Sequence, residues 1–133
     1  MSTKNKQIDA LKNIKSIVHI PIDTGFSCLR GLSPKKLRFE IEYSLGKGTT
    51  SNTFIFHQIN NSEVHRKTIL INPPGGNFQE VFLPALEAIV SDYSEEISII
   101  IGHINPNRVK LLRAITSKYS NIKIICSNPA GIL

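Results

Sequence analysis

Ile97-Ser98-Ile99-Ile100-Ile101-Gly102-His103-Ile104-Asn105-Pro106-Asn107-Arg108 is the stretch on which the fold turns. Residues 97–101 form an apolar, mostly β-branched run, of the kind found in a strand buried on both faces. Gly102 ends the run. Asn105 is a good helix cap and Pro106 suits the first helical position, where its missing N–H costs nothing. A strand, a short loop and a helix therefore follow one another, and His103 falls at the carboxyl end of a strand, where α/β sheets carry their ligand sites.

Reading outward from this stretch extends the same grammar. Pro106 to about Lys118 has helical spacing, with Val109, Leu112 and Ile115 toward the core, and Ile122-Lys123-Ile124-Ile125-Cys126 reads as another buried strand. On the other side, Val81, Phe82, Leu86, Ile89 and Val90 recur at helical spacing between Asn77 and Asp92. Lys67–Ile71 is a strand that stops at Pro73-Pro74-Gly75-Gly76. Earlier still, Ile17, Val18 and Ile20 before Pro21, the alternating Leu37–Tyr43, and Thr49–Phe56 read as strands, with turns at Gly46-Lys47-Gly48 and Asn60-Asn61-Ser62. Strands first, then alternating helix and strand, predict an antiparallel meander running into a mixed sheet with helices on one face, an α/β fold.

The chain has 133 residues, 41% of them hydrophobic, which is enough to bury a core; one domain, or part of one, is expected. Residues 1–15 are polar and basic and read as a disordered or loosely helical arm, with the folded part running from Ser16 to Leu133. Asn128-Pro129 has the form of a helix start, so the chain reads as cut in mid-fold. The formal charge of +6 is spread along the chain without an aromatic-interleaved basic strand, which argues against a nucleic-acid role. Cys28 and Cys126 lie far apart without metal-knuckle spacing and read as buried free thiols. No apolar segment reaches membrane-spanning length and none resembles a signal peptide, so a cytoplasmic protein is expected.

Two groups of residues together resemble a known family. Leu37 to Asn52, with Arg38-Phe39-Glu40-Ile41-Glu42-Tyr43 and Gly48-Thr49-Thr50-Ser51-Asn52, is similar to the opening β-meander of the flavodiiron proteins, the diflavin flavoproteins of cyanobacteria in particular. Gly102 to Arg108, followed by Ser127-Asn128-Pro129-Ala130-Gly131, resembles the subgroup whose iron ligands have been replaced. The match covers roughly residues 28–133. It implies the N-terminal half of a metallo-β-lactamase-like αββα sandwich, with flavodoxin-like and flavin-reductase domains downstream. It further implies a dimer, with itself or with another flavodiiron subunit, FMN and FAD in the full-length protein, and electron transfer from NAD(P)H to oxygen.

Carried over position by position, His103 matches the first metal ligand, Asn105 the Glu, Asn107 the Asp and Arg108 the second His of the family's loop, while Asn72 takes the place of an acid after a strand. His103 alone retains a ligand type. An amide carbonyl cannot balance metal charge as a carboxylate does, and a guanidinium repels a divalent ion. A fully occupied di-iron centre is therefore not expected, nor is catalysis by this segment alone. The other reading is a non-catalytic module that holds an anion or an acidic partner on Arg108, His103 and the basic surface.

Remaining motifs carry less. Gly46-Lys47-Gly48-Thr49-Thr50 lacks phosphate-loop spacing and precedes a strand, so a hairpin turn is expected. Pro74-Gly75-Gly76-Asn77 could cradle an anion on its N–H groups, although a plain strand-to-helix connection is favoured. His19, His57 and His65 have no partner at ligand spacing and read as surface or packing histidines.

Overall fold

The computed structural model describes residues 15–33, 38–39, 43–44, 49–58, 66–103 and 106–127. Its main sheet holds six strands: β1 (Ser16–Asp23), β2 (Phe26–Ser33), β5 (Thr49–His57), β6 (Lys67–Ile71), β7 (Glu96–Ile101) and β8 (Ile122–Cys126), side by side in chain order. Strands β3 (Arg38–Phe39) and β4 (Tyr43–Ser44) pair only with each other. Helix α1 (Gln79–Ile89), entered through a 3-10 turn at Gly76–Phe78, joins β6 to β7, and α2 (Pro106–Lys118) joins β7 to β8.

The mixed α/β architecture is the one expected. β1, β2, β5 and β6 run antiparallel, whereas β6, β7 and β8 are parallel, with Leu70 opposite Ile99 and Ile99 opposite Ile124. Two successive crossovers stepping in the same direction across a parallel sheet place both helices on the same face, because such connections are right-handed. That face holds the core, where Leu29, Ile55, Leu70, Ile97, Ile99 and Ile101 meet Phe78, Phe82, Leu86, Leu111, Leu112 and Ile115. Lys118 and Glu87 form an ion pair between the two helices.

Several expectations are corrected. Of the strand expected at Leu37–Tyr43, Arg38 and Phe39 pair antiparallel with Ser44 and Tyr43 as two short strands outside the main sheet, while Leu37 and residues 40–42 lie outside the described residues. β2 was not anticipated at all, and it is the strand that joins β1 to β5. β8 is not buried, since it forms an edge with Ile124 43% and Ile125 47% exposed. β7 is buried on its helix face and half-buried on the other. In α2 the fully buried position beside Leu112 and Ile115 is Leu111 instead of Val109. Cys28 is a buried free thiol as expected, while Cys126 is only half-buried. The arm at residues 1–14, the turns at Gly46–Gly48 and Asn60–Ser62, His65, Asn105 and Asn128–Leu133 lie outside the described residues.

The face opposite the helices carries a strip of large apolar side chains. Val18, Ile22, Phe54, Phe56, Ile69 and Ile125 are exposed there, and Phe26 stacks on Phe56 at 4.4 Å between ring centroids.

Candidate strand-end site

The parallel strands β6 and β7 end side by side, and the chain leaves both into loops that lead to helices. Asn72 and His103 stand at these two exits, and Asn107 and Arg108 in the first turn of the helix that follows the second. Asn72 directly follows β6 and adopts a left-handed conformation, φ 56°. Asparagine is among the few residues that tolerate this region. Its side-chain Oδ1 accepts a hydrogen bond from the Gly102 N–H at 2.9 Å, so the exit of β6 is tied to the exit of β7.

His103 is exposed at the start of the second loop. Its backbone carbonyl accepts a hydrogen bond from Nη1 of Arg108, which reaches back from the first turn of α2. Arg108 is half-buried, and loss of solvent holds its guanidinium below the ordinary pKa. Asn107, beside it, is exposed and donates from Nδ2 to Asn77 Oδ1 at 3.2 Å. The two helix-opening segments are thereby linked as well.

The Pro74-Gly75-Gly76-Asn77 segment is the strand-to-helix connection expected. Phe78 N–H bonds to the Gly75 carbonyl at 3.0 Å, which closes the 3-10 turn. A Cβ at position 75 would lie 2.2 Å from the Asn107 amide nitrogen, so any larger residue there would displace the Asn107 side chain. The glycine leaves room for the first turn of α2 to place Asn107 against this connection.

Placed on the structure, the site therefore brings together Asn72 with Gly102, Arg108 with His103, and Asn107 with Asn77. Its polar groups are one imidazole, amides and a guanidinium. Among the described residues, no group of three or more His, Cys, Asp or Glu is arranged to hold a metal ion.

A second polar cluster was missed by the sequence reading. His57, expected to be a surface or packing histidine with no partner at ligand spacing, is half-buried with its Nδ1 2.7 Å from Thr68 Oγ1, and the Thr68 hydroxyl donates to the buried Glu95 at 3.2 Å. The cluster lies at the opposite end of the parallel strands from Asn72 and His103. Three strands contribute to it or adjoin it, so no local spacing could have announced it. His19 is exposed on β1, in keeping with a surface histidine.

No protein-family model matches the chain. Known proteins do. Diflavin flavoprotein A 6 of Nostoc sp. is 42% identical over 113 residues, which cover 85% of this chain and 18% of that protein. Among solved structures, a fragment of diflavin flavoprotein A 5 from Nostoc sp. superposes with a TM-score of 0.73 at 35% identity, covering 88% of this chain and 44% of that one. A metal-soaked flavodiiron core from Synechocystis sp. gives a TM-score of 0.74 at 33% identity, over 89% of this chain and 27% of that one. This chain belongs to the flavodiiron family. Its mixed α/β fold matches part of the flavodiiron cores in those solved structures. The chain spans about a fifth of the length of the curated relatives it matches. Among the described residues, no helix of this flavodiiron chain is long and apolar enough to cross a membrane.

Proposed function

We propose that the chain is the front of a cytoplasmic flavin-dependent NAD(P)H:oxygen oxidoreductase of the flavodiiron type, with a strand-end site in which protein groups take the place of the iron centre. The carrying observation is the set of residues at that site. Where the family's loop needs imidazoles and carboxylates, this chain presents His103, Asn107 and Arg108, with Asn72 on the neighbouring strand. This donor set does not suit two irons. Amides bring no negative charge, the Asn72 and Asn107 side chains already bond to protein groups, and Arg108 brings a fixed positive charge of its own.

On this reading the segment contributes shape and charge, and no chemical step takes place on it. Arg108 supplies a cation where the metal's charge would lie. FMN and FAD would be held by flavodoxin-like and flavin-reductase domains further along the full-length protein, and supply the electron-transfer chemistry. The bare face of the sheet would be covered by the second layer of the β-lactamase-like sandwich. A dimer follows from the family's arrangement, and an iron-bearing subunit would then be the partner on which oxygen is reduced.

Oxygen uptake by the full-length protein tests this. Given NAD(P)H, the protein alone should reduce its flavins but consume oxygen slowly, and an added iron-bearing family member should raise the rate. Rapid uptake by the protein alone, with water as product, would refute the reading, as would a full-length protein that retains no flavin.

A further inference from the structure

We infer that the side chain of Asn72 acts as an extra rung of the β-ladder, holding the two site loops together without a metal. In a parallel pair, a residue donates its N–H to one neighbour on the adjacent strand and accepts, through its own carbonyl, from the residue two further on. Asn72 performs the first half of this with its backbone, since its N–H donates to the Ile100 carbonyl at 2.9 Å. The second half would require its carbonyl to receive the Gly102 N–H. The left-handed turn at φ 56° swings that carbonyl away, and it accepts instead from Thr53 Oγ1 at 3.2 Å. The side-chain Oδ1 takes the vacated role and accepts from Gly102 N–H at 2.9 Å.

Three consequences follow from this geometry. The β6 chain can leave the sheet at once, towards Pro73 and the 3-10 turn, without leaving the β7 end unpaired. Gly102, and with it the start of the His103 loop, is fixed by a residue on another strand. The residue type is also constrained on two counts, because position 72 needs both tolerance of positive φ and a short side-chain acceptor. Glycine meets the first and lacks the second; aspartate and asparagine meet both. The Asn107–Asn77 bond and the contact of Asn107 on Gly75 add a second tie between the same loops. Asn72 is thus a positioning residue for the loop.

The metal-free part of this inference rests on the function proposed above, whereas the rung rests only on the hydrogen bonds. Backbone amide exchange, read residue by residue by mass spectrometry with electron-transfer fragmentation on the full-length protein, separates the two. Gly102 N–H should be protected in the native chain. In Asn72→Gly, which tolerates the same positive φ and removes the side-chain acceptor, Gly102 should exchange about ten-fold faster while mid-strand Ile99 keeps its protection. Asn72→Asp should retain the protection of Gly102. Unprotected Gly102 in the native chain, or unchanged exchange in Asn72→Gly, overturns the rung. Protection in the native chain should be the same with ferrous iron or with a chelator; protection that appears only with iron overturns metal-free closure.

Discussion

The hydroxyl of Tyr119 is a buried polar group with one partner, donating to the Val90 carbonyl at 2.7 Å and so tying the end of α2 to the end of α1. Burial, reinforced by nearby Tyr93 and Glu95, pushes the phenol up to about 12 from an ordinary value of 10.0. The sign follows from which state holds the proton. Between these values the unfolded phenol has ionised while the folded one keeps its proton, so the stability due to this group is intact below pH 10 and is lost as the pH rises towards about 12. Tyr119→Phe should lower stability at neutral pH by about 1 kcal/mol and flatten the alkaline part of the unfolding profile; urea titrations at several pH values read both effects. At this scale the sequence was informative where neighbours in the chain are neighbours in space. The Arg108 bond to the His103 carbonyl joins residues that lie five apart in the chain, within one contiguous stretch. The Asn72–Gly102 bond spans 30 residues and depends on one backbone angle, and no pattern of residue types encodes it.

Elements with a simple period were legible, and those without were not. β5, β6, β7 and both helices declared themselves through β-branched runs or helical spacing. β2 did not, because Phe26-Ser27-Cys28-Leu29-Arg30-Gly31-Leu32-Ser33 is apolar on neither face throughout. Ser27, Gly31 and Ser33 interrupt the face that carries Leu29, and Arg30 interrupts the other. The reason for one of these interruptions lies in the packing. A Cβ at Gly31 would lie 2.8 Å from Cε1 of Phe78, so the 3-10 turn entering α1 is seated on the bare backbone of β2. Gly31→Ala should therefore displace Phe78 and cost about 1–3 kcal/mol of unfolding free energy. At Gly102 the nearest atom to a Cβ is Asn72 Oδ1 at 3.5 Å, an ordinary contact, and Gly102→Ala should change denaturation little. Equal losses in the two variants would show that Phe78 does not depend on the glycine.

For the whole molecule, sheet order and handedness position the site. Parallel β6 and β7 end together, both crossovers cover one face, and the opposite face is left with the exposed Phe54, Phe56 and Ile69. The fold class and the family were legible from strand order and from two quoted motifs, and the similarity to solved flavodiiron cores agrees with them. The proposed replacement of metal by protein groups at the strand ends would show in the composition of the intact protein. Elemental analysis of the full-length protein, purified after growth with ample iron and without added chelator, measures it directly. Iron should be found far below one di-iron centre per chain, while a full di-iron complement on every chain would contradict the proposed replacement.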